Sequence, residues 1–196
     1  MYRPSRPWPL SSITPRPLRK TFGRWKTNNL QDLSFAFQNA NSFNIDIGKW
    51  DVSRVTDLAC VFQGDTIFSQ DIGGWNVSNV ENLEFAFSHT KRFNADIGGW
   101  DVSSVTSLDT TFLNAEAFDQ DLGAWNVSSV LSMDSTFANS VFNPSLGDWD
   151  TSSVTNIAAM FAGSGNFTQH ISGWDVSCVQ DMSFMFAWAT SFRSDI

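Results

Sequence analysis

Histidine and cysteine are scarce, two of each in 196 residues. His89 and His170 lie far apart, neither neighbours a cysteine, and no HExxH, P-loop, GxSxG or CxxC spacing occurs. Acid–base or covalent catalysis needs a base within hydrogen-bond reach of a nucleophile. The expectation is therefore a non-catalytic protein with no cofactor and no metal. Long apolar runs are missing too: nothing approaches the ~18 residues of a membrane helix. The N-terminus also lacks the apolar stretch of about 7 to 15 residues that marks a secretory signal. Acidic residues are absent from positions 1–26, which hold seven basic groups (Arg3, Arg6, Arg16, Arg19, Lys20, Arg24, Lys26). The remaining 170 residues hold five basic and all twenty acidic ones, so the segments carry about +7 and −15 and sum to −8. An acidic body excludes nucleic acid as a partner, because phosphates require cationic grooves. Proline is nearly confined to the same N-terminal stretch, with five of six in the first 24 residues.

Tryptophan, in contrast, recurs with a strict period at Trp25, Trp50, Trp75, Trp100, Trp125, Trp149 and Trp174, 25 residues apart with a single 24. Phenylalanine keeps step in two columns, one running from Phe37 and Phe62 to Phe186, the other from Phe43 and Phe68 to Phe192. A unit this small cannot bury its own apolar face, so neighbouring units must stack to make a core. The reading is two segments: 1–24, a basic, Pro-rich extended arm, and 25–196, a repeat solenoid of about seven coils. Arg-rich, Ser-containing and acid-free composition also describes an organellar transit peptide. Trp25–Phe37 reads as an imperfect first coil, as at an N-terminal cap, and no polar cap follows the last coil. The expectation there is that the chain continues or that another molecule covers the edge. Cys60 and Cys178 occupy different columns nearly five coils apart, roughly 24 Å at ~4.8 Å per stacked strand. That is too far for a disulfide, and both read as small buried hydrophobes.

Two periodicities alternate within each coil. Val55, Leu58 and Phe62 fall at i, i+3 and i+7, as do Val80, Leu83, Phe87 and Val130, Met133, Phe137, which predicts a short helix. Ser53, Ser78, Ser103, Ser128, Ser152 and Ser177 stand where helix N-caps would be, and Ser78 with Glu81 and Ser177 with Gln180 form capping boxes. Phe43, Ile45 and Ile47 alternate with Asn44 and Asp46, which predicts a short strand. Gly48, Gly73, Gly98, Gly123 and Gly147 then allow a sharp turn toward tryptophan. The predicted fold class is an α/β solenoid, a right-handed leucine-rich-repeat-like stack with a narrow parallel sheet on one side and short helices on the other. An all-β solenoid is the alternative.

The carboxylates carry the functional reading. Asp46, Asp71, Asp96 and Asp121 share one column on the outward strand face, beside the Asn44, Ser69, Asn94, Asp119 column. Like charges stacked about 5 Å apart repel by roughly 0.5 to 1 kcal/mol in exposed surroundings. Three compensations are open: backbone N–H groups of the turn, a basic protein surface docked on the face, or a row of divalent cations. Asn44, Asp46, Asp71, Asn94, Asp96, Asp119 and Asp121 are the candidate interaction face. Arg3, Arg6, Arg16, Arg19 and Lys20 form a candidate docking arm. A second column, Asp51, Asn76, Asp101, Asn126, Asp150 and Asp175, is expected to cap helices.

The unit Trp-Asp-Val-Ser-x-Val-Thr-x-Leu/Met, followed by Phe and by Phe-Asn-x-Asp-Ile, resembles the repeat of the BspA-like leucine-rich-repeat surface proteins. More narrowly, it is similar to the DUF285 or lipoprotein-associated repeat of mycoplasmal lipoproteins. Trp100-Asp101-Val102-Ser103-Ser104-Val105-Thr106 and Phe93-Asn94-Ala95-Asp96-Ile97 carry the resemblance, which spans residues 25–196. It implies a binding or scaffolding role without a family catalytic centre. No lipobox cysteine or secretory signal precedes the repeats, and the Arg/Pro arm points to a eukaryotic, organellar member. The functional expectation is a protein-binding scaffold, an accessory subunit that stabilises a larger organellar membrane assembly without a transmembrane segment of its own, in peripheral contact with membrane proteins. A secreted or cell-surface adhesin, glycosylated at Asn76 or Asn126, is the alternative.

Overall fold

A computed structural model describes residues 22–194. The chain winds in 25-residue turns laid one on another, and the register is fixed by six isolated parallel bridges, Asp32 to Asp57, Asp57 to Asn82, and so on to Asp181. Trp75 stacks on Trp100 with centroids 6.4 Å apart and planes 3° from parallel. Phe62 lies 5.8 Å below Phe87, and Phe68 5.9 Å below Phe93. Within a winding the two phenylalanine columns touch, at 3.8 Å between Phe62 and Phe68. These separations fall in or near the range favoured by aromatic pairs. Trp50, Phe62 and Phe68 are buried, as are Val52, Val55, Leu58 and Ile72, so the core is one continuous column of rings edged by aliphatic side chains.

The expectation of an α/β solenoid is corrected: among the described residues the repeats contain neither the helix nor the sheet, and no continuous β-sheet replaces them. Where the helix was expected the backbone folds into a staircase of overlapping turns. Val61 N–H binds Leu58 O at 3.1 Å, Gln63 N–H binds Cys60 O at 3.2 Å, and Asp65 N–H binds Phe62 O at 2.9 Å. The intervening amides leave the winding: those of Leu58, Cys60, Phe62 and Gly64 bind the carbonyls of Asn82, Glu84, Ala86 and Ser88 in the next one. A helix sends every amide back four residues within its own segment. Here half of them join the windings together, which a helix could not do.

The staircase requires positive φ at alternate steps. Phe35, Cys60, Phe85, Thr110, Ser135, Ala159 and Phe184 adopt it, as do Asn39, His89, Asn114, Asn139 and Trp188, all with φ of 51–60°. Gly64 (72°) and Gly163 (71°) occupy the second column at the two windings where a glycine is present. A β-branched or aromatic residue in this region is a costly exception, so the interwinding bonds must outweigh the strain. Leu58 and Phe62, four residues apart, both point inward and are fully buried. Four-residue spacing is close to the 3.6 of a helix, which is why the apolar stripe imitates one.

The predicted strand is extended but unpaired. No backbone–backbone bond joins 43–47 to the next winding among the described residues. Phe43 and Ile47 are buried while Ile45 is only partly so, in place of a strict alternation. Ring centroids repeat every 5.5–6.4 Å along the aromatic columns, while interwinding backbone bonds persist beside them at Leu58, Cys60, Phe62 and Gly64. The glycines before tryptophan also serve differently from the expectation. Gly48 has no positive φ; a Cβ there would lie 2.5 Å from Asp71 O of the next winding, so the position is glycine because two backbones pass closely. Cys60 is buried, but Cys178 is exposed, contrary to its reading as a buried hydrophobe. Phe22, just before the first tryptophan, stacks on Trp50 with centroids 5.6 Å apart and meets Phe43 edge-on.

Candidate functional site

Each winding is held by short side-chain caps, and these account for most of the polar columns. Asp46 Oδ1 accepts Gly48 N–H at 3.0 Å, and Asp71, Asp96 and Asp121 repeat the bond to Gly73, Gly98 and Gly123 at 2.9, 3.0 and 2.8 Å. These are the turn contacts that Asp favours two residues ahead. All four carboxylates are exposed. Their second oxygens have no partner among the described residues, where the single ion pair is Lys91 Nζ to Glu116 Oε1 at 2.8 Å. The row is thus a line of half-engaged carboxylates with no ion-pair partner among the described residues. No group of three or more His, Cys, Asp or Glu side chains is arranged to hold a metal ion among the described residues.

The neighbouring column is more fully consumed. Asn44 Oδ1 accepts Ser69 N–H at 3.0 Å and the Gln70 side chain at 2.8 Å. Asn94 does the same for Asp119 and Gln120, and Asp119 Oδ1 accepts Asn143 N–H at 2.9 Å. These side chains replace the backbone ladder missing from the extended segment. The candidate face therefore assembles as an exposed surface, in which Asn44, Asn94 and Asp119 join windings while Asp46, Asp71, Asp96 and Asp121 bond only within their own turns among the described residues. Arg3, Arg6, Arg16, Arg19 and Lys20 lie outside the described residues.

Asp51, Asp101, Asp150 and Asp175 cap turns, not helices. Ser53 Oγ and N–H both donate to Asp51 Oδ1, at 2.6 and 3.1 Å, and Ser103 and Ser152 do likewise for Asp101 and Asp150. The serines predicted to cap helices are therefore donors to these carboxylates. Their hydroxyl bonds, followed by the backbone amides, hold the four carboxyls below the ordinary aspartate value. Asn76 and Asn126 make the same turn with Ser78 and Ser128. Acceptor geometry, not charge, is what the column needs.

Tryptophan adds a second function to its packing. Trp75 Nε1 donates to Ile47 O at 3.1 Å, Trp100 to Ile72 O at 3.2 Å, Trp125 to Ile97 O and Trp149 to Leu122 O at 3.0 Å, and Trp174 to Leu146 O at 2.8 Å. Each indole fastens its winding to the one before. A ring buried and bonded in this way offers no platform to a ligand.

His89 is bonded through its ring to Ser88 Oγ (2.8 Å) and to the Asn114 amide (3.1 Å). Ser88 is completely buried, so this contact is closed to substrate. His170 is exposed and elsewhere. Beside His89 an open groove of about 500 Å³ is lined by Asn39, Asn41, Gln63, Gly64, Thr66, His89 and Lys91. It lies where Gly64 interrupts the Asn39, His89, Asn114 column with no side chain.

One residue escaped the reading of the sequence. Asp65 has no solvent exposure and is the sole fully buried charged side chain among the described residues. Oδ1 accepts the amides of Ile67 and Phe68, both at 3.2 Å, while Oδ2 has no partner among the described residues. Burial pushes its carboxyl up to about 7 against the lowering effect of those two amides. The signal was present in the repeat, since the equivalent positions are Ala40, Thr90, Ala115, Ser140, Ser164 and Ala189, all small.

In comparison with known proteins, a family model described as "Mycoplasma protein of unknown function, DUF285" matches residues 13–125 and again 106–196. No curated protein and no solved structure matches the chain. Among the described residues no helix is long and apolar enough to cross a membrane.

Proposed function

The chain belongs to the DUF285 family, and from that premise we propose that it is a non-catalytic repeat scaffold that offers its acidic row to a basic protein surface within a larger assembly. The observation that supports this most directly is the line of Asp46, Asp71, Asp96 and Asp121, exposed, with one oxygen each fixed by the turn and the other without a partner among the described residues. The first of the three compensations for stacked charge thus accounts for half of each carboxylate. A docked cationic surface would account for the rest, and complementary charge of this kind sets partner choice and encounter rate more than raw affinity. The regular rise of the windings gives the row a fixed spacing, which suits a partner with repeated basic groups.

The test exploits the tolerance of the cap for asparagine. A triple Asp71→Asn, Asp96→Asn, Asp121→Asn variant keeps every Oδ1 acceptor and removes three charges. Cross-linking and co-purification from the source organism at low salt should recover a basic partner with the parent chain and lose it with the variant, at unchanged thermal stability. Equal recovery by both chains would refute the acidic row as the contact. Asn76 and Asn126 are exposed, and a glycan found on either by mass spectrometry would favour the adhesin reading instead.

A further inference from the structure

Every winding has to close the loop between its two phenylalanine columns; the fifth uses the Ser140 hydroxyl, which accepts Phe142 N–H at 3.4 Å, and the second uses a carboxyl group. In the first, sixth and last described windings the second phenylalanine's amide binds a backbone carbonyl, Phe43 to Ala40 O (2.7 Å), Phe167 to Ser164 O (3.1 Å) and Phe192 to Ala189 O (3.1 Å). In the second, Phe68 N–H and Ile67 N–H both bind the side chain of Asp65. The closure therefore depends on a carboxyl group that is sealed from water and has one oxygen unpartnered among the described residues. A buried charge without a partner is among the most expensive arrangements in a protein, and the group avoids it by holding a proton.

Among the described residues no charged group contributes to offsetting it. The first winding presents Ala40 between Asn39 and Asn41, and its own winding flanks Asp65 with Gly64 and Thr66. The third winding presents Thr90, whose hydroxyl is taken by Phe87 O at 2.7 Å, between His89 and Lys91. Lys91 is engaged by Glu116, and His89 by Ser88 and Asn114. We infer that Asp65 is a proton-dependent latch on the 65–68 loop: the neutral acid keeps the loop shut, and the carboxylate releases it to water. Gly64 and Thr66, the chain neighbours of Asp65, both line the open groove. Release of the latch thus moves the groove wall, and the second winding tightens in acid and loosens toward neutrality.

The direction follows from linkage. The folded value of about 7 lies above the ordinary 3.8, so the closed loop binds the proton more tightly than the open one. Its extra stability is complete below about 3.8 and is lost as the pH rises through about 7. Amide hydrogen exchange at Ile67 and Phe68 in the 196-residue chain, corrected for intrinsic rates, reads this opening. The opening constant should rise roughly tenfold per pH unit between about pH 4 and 7 and level off above it. Asp65→Asn should flatten the curve, and Asp65→Ser, the residue type at Ser140 and Ser164, serves if the asparagine variant fails to fold. His89→Gln should leave the rise intact, which separates the latch from the neighbouring imidazole. A flat parent curve, an unchanged slope in the Asp65 variant, or loss of the slope in His89→Gln would overturn the inference.

Discussion

Thr110 and Thr111 are adjacent, identical in type and opposite in environment, so replacing each with glycine distinguishes the turn staircase from a helix. Thr110 has φ of 55° and is half-buried; its hydroxyl meets only the Asp109 carbonyl. Left-handed backbone costs a non-glycine residue about 1–2 kcal/mol, and glycine loses roughly 0.5–1 kcal/mol of chain entropy on folding. Thr110→Gly should therefore stabilise the chain by about 0.5–1 kcal/mol. Thr111 is fully buried and its hydroxyl donates to Leu108 O at 2.8 Å and Leu83 O at 3.0 Å, the second across a winding boundary. Removing it costs about 1 kcal/mol for the hydrogen bond, about 1 kcal/mol for the buried methyl and the same entropy term, roughly 3 kcal/mol in all. In a helix spanning this segment both substitutions would destabilise, Thr110→Gly by roughly 0.3–0.5 kcal/mol from propensity. Urea unfolding followed by tryptophan fluorescence, with slopes checked for equality, reads both values. A Thr110→Gly variant that loses stability would refute the positive-φ staircase.

Other outcomes follow from the same geometry. Trp100→Phe removes the indole bond to Ile72 O and leaves a gap in a ring that is 3% exposed; the expected loss is about 2 kcal/mol, read by the same unfolding assay, and a loss under about 0.5 kcal/mol would mean the indole does not fasten the windings. Asp101→Asn keeps the turn acceptor that Asn76 and Asn126 already provide and should leave the melting temperature within about 1 °C, whereas Asp101→Ala should lower it by about 2–4 °C. Because Ser103 holds the Asp101 carboxyl below 3.8, its contribution is present above that value and is lost as the pH falls through the folded one, while Asp65 loses its own as the pH rises toward about 7. Melting temperatures across pH 3–8 should therefore peak near pH 4–5.

What misled the reading of the secondary structure was the similarity of two periods. Val55, Leu58 and Phe62 fit a helix by spacing, and a run of turns that places Leu58 and Phe62 on the same side fits it as well. Sequence periodicity reports which residues face inward, not the backbone path between them. The serines before the stripe suffered the same ambiguity, since a hydroxyl near a turn can serve a helix or donate to Asp51 and its equivalents. For the candidate face, the column arrangement of Asp46, Asp71, Asp96 and Asp121 was legible, and so was the turn contact as one of three alternatives. That only one oxygen of each is engaged was not, because it depends on where Gly48 and its equivalents present their amides.

Asp65 was visible as an acid in a column of small residues, yet its significance rests on burial that arises only when the windings close around it. The sequence by itself determined the 25-residue register, the aromatic columns and the small set of turn-forming polar positions, because side chains that recur in phase can only be buried by lying on their own copies. The tertiary structure decided the rest. The extended segment is joined to the next winding by Asn and Asp side chains, and elsewhere the chain satisfies its amides by alternating turn bonds with bonds to the next winding at the cost of left-handed residues.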